Sequence, residues 1–446
     1  MAPHVVLVSI PGLREQDLAD MPRLVELTRG GQRATLRPHF PAVTCPVQAN
    51  MTTGKLPGQH GVVANGFYWR ERQEVEMWTA WNDCIEQPQI WDLLHQSNPS
   101  LTSAVWFPLH SKGCGADFIC TPAPIHNPDG SESLWCYTRP ESLYGELRDE
   151  LGHFPLKHFW GPLAGIPSSQ WIADSAVIAA KKWRPNFFYI YLPHLDYAAQ
   201  KHGPDSDAAR AAVGELDAVL GRLIDGLGDA FDNENVRWFV ASEYTISSVD
   251  HVLYPNRVLR EADLLCAGQE EDGEHLDFAA SAAWAMVDHQ LAHIFVRDRD
   301  PNVVRRVAEL FQGVEGIDEV LTGDELAKYH LDHVRSGDVV LVSTPGSWQA
   351  YYWWLDDADA PGFARTVDIH RKPGYDPVEL HFDAANRCIP LDATLVGGSH
   401  GAPASNRTGQ GGAGQGVLLA SHASALERDE YHDVDVAELA LEQFTI

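Results

Sequence analysis

The chain has 446 residues, 44% of them hydrophobic, enough for a sizeable core in one large domain or a few smaller ones. Its 62 Asp and Glu outnumber its 33 Lys and Arg, and the resulting net charge of −29 opposes nucleic-acid duplexes and anionic membranes, which both require a positive field. A small anionic molecule in a local pocket is not excluded, because a helix N-terminus or a buried cation reverses the potential locally.

The opening MAPHVVLVSIPGL predicts a first β-strand; it has neither the basic n-region nor the small-residue cleavage site of a signal peptide. No stretch reaches the ~18 uninterrupted apolar residues of a membrane helix. The seven cysteines (45, 84, 114, 120, 136, 266 and 388) are odd in number and form no CxxC pair. Reduced thiols and a cytoplasmic protein are therefore expected, unless the neighbours Cys114, Cys120 and Cys136 supply a bridge. Residues 40 to 65, FPAVTCPVQANMTTGKLPGQHGVVAN, place the hydroxyl of Thr44 among turn formers. TSAVWF reads as the next strand. Residues 110 to 170, rich in Pro, Gly, Trp and Cys, break the rhythm and are expected to form a cap insertion over the sheet's C-terminal edge. The aromatics Trp106, Phe107, Trp135 and Tyr137 could stack there on a base or pack on one another.

Two further strands, PNFFYIYL and VRWFVAS, flank DSDAARAAVGELDAVLGRLIDGLGDAF, whose Ala, Val, Leu and Ile recur every three or four residues. Strand, helix and strand in that order predict an α/β fold with a mostly parallel central sheet sandwiched by helices. LAHIFVRD, PNVVRRVAELFQGV and GIDEVLT predict a βαβ-like subregion within 291 to 345, followed by the strand DVVLVST. Its helix is capped at Asp300 and opened by Pro301. The Gly-rich run at 404 to 416 lacks the GxGxxG spacing of a nucleotide fingerprint and reads as a surface loop.

Functional side chains in parallel α/β sheets collect where strands end. PNFFYIYLPHL leads into Asp196, VRWFVAS into Glu243, and VGGSHGAP sets His400 between glycines. A threonine before Cys-Pro also serves as a helix cap, an aspartate after a strand caps the next helix, and a histidine between glycines suits a plain turn. Jointly, a hydroxyl, two acids and an imidazole on four loops suit a metal-assisted hydrolase.

These blocks, with YLPHLDYAAQKHGP, VASEYTI and GGSHG, resemble the alkaline phosphatase superfamily, in its nucleotide pyrophosphatase/phosphodiesterase branch. The resemblance runs nearly end to end and implies a single alkaline-phosphatase-like domain over 1 to 446. It implies that Thr44 is the nucleophile, that Asn65 contacts a phosphoryl oxygen, and that a phosphothreonine forms and is hydrolysed. It also implies divalent cations, zinc or manganese, on six ligands, of which this chain keeps only some. Pro11 stands where the first aspartate belongs, Gln200 where a histidine follows Asp196, and Glu243-Tyr244 where Asp-His is usual. His400 is retained. The ligand set implied here is Asp196, Glu243, His400 and Gln200, with His202 two residues beyond Gln200, for one ion or a rearranged pair. His251, Asp288, His289 and His293 are spare groups that could compensate. In HRKPGYDP, Lys372 could hold phosphate charge where a cation is missing, or the segment is a turn packed by Tyr375. The expected function is metal-dependent hydrolysis of a phosphodiester or pyrophosphate bond in a small-molecule phosphate ester. The alternative is a catalytically silent member binding a phosphorylated ligand or a partner. A sulfatase-type site would need an arginine after Cys45-Pro46, and none follows. Nothing in the sequence sets an oligomeric state.

Overall fold

Thirteen strands make the two larger sheets of the computed structural model, which describes residues 2–126, 132–233, 235–404 and 415–444. In chain order they begin with β1 (His4–Ile10), β2 (Gln32–Arg37), β3 (Ser103–Trp106), β4 (Phe118–Pro122), β5 (Cys136–Arg139), β6 (Phe187–Tyr191) and β7 (Val236–Ser242). They continue with β8 (Ala283–Asp288), β9 (Leu291–Val296), β10 (Ile317–Thr322), β11 (Val339–Ser343), β12 (Gly416–Ala420) and β13 (Glu430–His432).

Nine strands form the central sheet in the order β13-β2-β12-β7-β1-β6-β3-β4-β5. From β7 to β4 every pairing is parallel, with Val8 of β1 opposite Ile190 on one side and Val240 on the other. Strands of a parallel sheet are covered on both faces, so they read as unbroken apolar runs. FFYIY is buried throughout, and HVVLVSI is buried from its second residue. The helices that concern the site are α1 (Thr44–Thr53), α2 (Ile166–Trp183), α3 (His194–His202) and α4 (Asp207–Ala230). The amphipathic run between β6 and β7 becomes α4. Ser206 starts it by accepting the Ala209 amide at 3.1 Å, and Ala212, Val213, Leu216, Val219, Leu220 and Leu223 make its buried face.

Residues 110 to 170, expected as a cap, supply β4, β5 and a helix over Leu143–Leu151, so part of the segment extends the sheet instead of covering it. The edge strand β5 alternates buried and half-buried residues, the pattern of a sheet margin. The second sheet runs β8-β9-β11-β10, with α5 (Pro301–Phe311) between β9 and β10 in the chain. Both of those strands pair antiparallel with β11, so the expected βαβ-like piece is split by a central strand. β11 is buried at every position and needs a neighbour on each side. Asp300 caps α5 by accepting the Asn302 amide at 2.8 Å. All seven cysteines are free thiols. No helix among the described residues is long and apolar enough to cross a membrane. Most of the glycine-rich run, 405 to 414, lies outside the described residues.

Candidate active site

The parallel strands β1, β6 and β7 end side by side, and the residues just past their C-terminal ends converge. The Glu243 amide donates to the Ile10 carbonyl at 3.3 Å and the Gly12 amide to the Tyr244 carbonyl at 2.9 Å, which fixes the Pro11 turn against the end of β7. On the facing side α1 begins at Thr44. All ten residues of α1 are buried, and Thr44 itself is 5% exposed.

The Thr44 hydroxyl lies 3.0 Å from the Tyr244 phenol, and that phenol donates to Asp196 Oδ1 at 3.3 Å. With the phenol proton directed at the carboxylate, Thr44 is the donor in the first contact. Gln200, one turn after Asp196 on α3, donates to Oδ2 at 2.7 Å and accepts from the Tyr375 hydroxyl at 2.5 Å. Four rings form a row beside this chain. Tyr244 stacks on His400 with centroids 3.6 Å apart and planes within 7°, His400 meets His289 at 3.9 Å with planes tilted by 43°, and His289 stacks on Tyr375 at 3.6 Å. The row begins and ends on tyrosines that Asp196 and Gln200 join. His400 donates from Nδ1 to the Ala42 carbonyl at 2.8 Å, which leaves Nε2 as a bare acceptor 3.9 Å from Asp196 Oδ1.

Glu243 accepts from Ser9 at 2.6 Å and from Gln48 at 2.7 Å, both on Oε1, while Oε2 is buried without a partner. Burial raises the Glu243 carboxyl to about 8 and the Asp196 carboxyl to about 7, against the pull of their donors, and holds His400 and His289 well below the ordinary imidazole range. Asn65 has both ends of its amide engaged: Oδ1 accepts the Cys45 amide at 2.9 Å and Nδ2 donates to Asp288 at 3.0 Å. Asp288, raised to about 6 by burial, also takes the Asn65 backbone amide and the Nδ1 of His289.

The structure thus gathers Thr44, Asn65, Asp196, Gln200, Glu243 and His400, with Asp288 and His289 from the spare groups. It does not gather the others. His202 is exposed as the last residue of α3. Lys372 is buried between Asp376 at 2.8 Å and Glu379 at 2.6 Å, so its charge is already matched and is not presented to a phosphate. His293 bonds to the Val63 carbonyl and His251 to Ser347. Sequence reasoning missed Ser9, Gln48 and the linking role of Tyr375. Ser9 was legible two residues before Pro11 on one strand face, and Gln48 one helical turn beyond Thr44; nothing local marks Tyr375.

The donor set does not fit the expected pair of ions. Asp196 and His400 could hold a cation, but the Tyr244 hydroxyl is already engaged by Thr44 and Asp196 and would not add a ligand. The first position is left with Asp196 and His400, because Gln200 turns its amide nitrogen to Asp196 and its oxygen to Tyr375. The second keeps Glu243 alone, since Pro11 has no donor. A catalytic zinc takes three protein ligands and an open position. Among the described residues the one group of three His, Cys, Asp or Glu donors close enough to share an ion is Glu270, Asp272 and His275, outside this site. The cavity against Tyr244, lined also by Ala42, Thr245, Gln290 and Gly401, measures about 20 Å³, room for roughly one water.

A model of the type I phosphodiesterase / nucleotide pyrophosphatase family matches residues 5–376, in agreement with the resemblance in the sequence. An uncharacterized pyrophosphatase/phosphodiesterase of Schizosaccharomyces pombe is 26% identical over 233 residues, covering 50% of this chain and 40% of its own. Human ectonucleotide pyrophosphatase/phosphodiesterase family member 7 is 22% identical over 254 residues, covering 55% and 48%. The chain spans less than half the length of the curated relatives it matches. Two solved structures share the fold. Phosphonoacetate hydrolase from Sinorhizobium meliloti with phosphonoformate has a TM-score of 0.63 at 16% identity, over 99% of this chain and 96% of that one. Inactive murine ectonucleotide pyrophosphatase/phosphodiesterase 5 in complex with AMP has a TM-score of 0.62 at 15% identity, over 100% and 95%.

Proposed function

From the premise that this chain belongs to the type I phosphodiesterase / nucleotide pyrophosphatase family, we propose that it hydrolyses a phosphodiester or pyrophosphate bond in a small phosphate ester, with Thr44 as nucleophile. The observation that carries this reading is the directed chain from the Thr44 hydroxyl through Tyr244 to the Asp196 carboxylate. A threonine hydroxyl is a poor nucleophile until its proton has somewhere to go, and here a phenol and then a carboxylate lie in line with it. Thr44 Oγ forms the bond to phosphorus as the bond to the leaving oxygen breaks. The threonine proton passes to the phenol oxygen while the phenol proton passes to Asp196, and the leaving oxygen takes a proton from water. A second water then attacks phosphorus and the Thr44 Oγ–P bond breaks; Asp196 returns its proton through Tyr244 to the Thr44 oxygen, and the proton lost by the attacking water neutralises the hydroxide left by the first. Thr44 also opens α1, and a helix N-terminus favours an anion. The relatives are named for pyrophosphatase and phosphodiesterase activity, and one structural neighbour holds AMP, which supports the substrate class.

Turnover of a chromogenic phosphodiester by the full chain tests this. Thr44→Ala is expected to lower it by about a thousandfold or more, as loss of a nucleophile does. Equal turnover by the two proteins removes the proposal. One observation favours a second reading, a silent member that keeps the fold as a binding module: Thr44 is 5% exposed, and the cavity against Tyr244 holds little more than a water. Phosphate esters that raise the melting temperature without being turned over would favour it.

A further inference from the structure

Cations and neutral hydrogen-bond donors do different electrostatic work, and both Asp196 and Glu243 accept from neutral donors in this structure. We propose that neutral hydrogen-bond donors have replaced both cations in this chain, so that the site handles Thr44 and its acids without divalent metal. The inference deepens the hydrolase reading, on which its catalytic consequence rests, but it concerns ion binding and stands or falls separately.

Each acid that a cation would balance has a donor instead. Asp196 takes Tyr244 on one oxygen and Gln200 on the other, and Glu243 takes Ser9 and Gln48. Three of these donors sit at the altered positions or immediately beside them. Gln200 and Tyr244 occupy two ligand positions, and Ser9 lies on β1 two residues before Pro11. The replacements also lock one another. Tyr244 is held at its hydroxyl by Thr44 and Asp196 and on its face by His400, and Gln200 is held by Asp196 and Tyr375. For a cation to sit on Asp196 Oδ1 beside His400 Nε2, the Tyr244 phenol would have to give up its hydrogen bond to that carboxylate. The nucleophile's partner is therefore a neutral phenol, which positions the hydroxyl and accepts its hydrogen bond, where a cation would have drawn off its proton by charge.

The test is the metal content of the full chain after dialysis against zinc or manganese and then metal-free buffer, run on wild type and on His275→Ala. The second protein removes the surface trio Glu270, Asp272 and His275 as a source of bound ion. The expected result is under about 0.2 ion per His275→Ala chain, with a melting temperature that moves by less than about 1 °C on adding EDTA, since no ion selects the native state. One or more retained ions per chain, lost again in Asp196→Ala, overturns the inference. Turnover separates it from the hydrolase reading. Hydrolysis in EDTA that disappears in Thr44→Ala supports both; absent hydrolysis with no bound ion supports the inference and removes the enzyme; hydrolysis that needs a retained ion removes the inference and keeps the enzyme.

Discussion

Two pairs of buried carboxylates among the described residues are balanced by opposite means. Asp376 and Glu379 close around the Lys372 ammonium, a cation supplied by the chain itself. Among the described residues no Lys or Arg pairs with Asp196 or Glu243, which are held by hydroxyls and amides. The first arrangement sets one ammonium against two carboxylates, and burial still raises Glu379. The second supplies neutral donors to both oxygens of Asp196 and to one oxygen of Glu243 but leaves charge unopposed, so burial pushes both acids toward the protonated form, to about 7 and about 8. The contrast bears on the proposed replacement of cations by neutral donors: each of these two acids keeps neutral donors where the first pair has an ammonium.

That contrast is easiest to break at Lys372. Lys372→Met removes the ammonium and strands two buried carboxylates, which is expected to cost about 3–5 kcal/mol of stability in urea unfolding near neutral pH. A loss below about 1 kcal/mol would mean that the two pockets are balanced alike.

Glu243→Gln sharpens the comparison in the other direction, through pH. A carboxyl whose folded pKa lies above its unfolded value binds more protons when folded, so stability falls as pH rises from about 4.5 to about 8. The amide carries no such penalty. The variant is expected to match wild type near pH 4 and to exceed it by about 1–3 kcal/mol at pH 8.5, measured by denaturant unfolding at both pH values. A cation at Glu243 would reverse the sign at high pH.

Smaller still is Tyr244→Phe, which deletes one hydroxyl from the chain between Thr44 and Asp196. The expected cost is about 1 kcal/mol in thermal unfolding, the range for a buried hydrogen bond, with turnover lowered at an unchanged KM. Unchanged stability and turnover would show the phenol to be packing alone.

The fold was legible because its signals are local. Unbroken apolar strands such as HVVLVSI and the three-and-four spacing of residues 207 to 230 are dictated by burial on two faces or one. The segment 110 to 170 was less so: its Pro, Gly and Trp content marks an irregular region, but whether short runs such as FICTP and CYTR cover a sheet or extend it depends on a free edge elsewhere in the chain. At the site, Asp196, Glu243, Thr44 and His400 announce themselves by position after strands and in turns. Pro11, Gln200 and Tyr244 were visible as departures from the ligand pattern that the resemblance implies. What they become was not, because Tyr244 reaches Thr44 across 200 positions and Tyr375 reaches Gln200 across 175. Lys372 shows the same limit. A lysine before a Pro-Gly turn reads as an exposed charge until Asp376 and Glu379 fold over it.

The central claim is that a phenol and an amide stand where cations would otherwise sit. Anomalous diffraction at the zinc edge from crystals grown in zinc measures this at the atom concerned. The account predicts no peak within about 2.5 Å of Asp196 or His400, the reach of zinc coordination, and the Tyr244 hydroxyl still bridging Thr44 and Asp196. A peak between Asp196 Oδ1 and His400 Nε2, with the tyrosine swung aside, would contradict it.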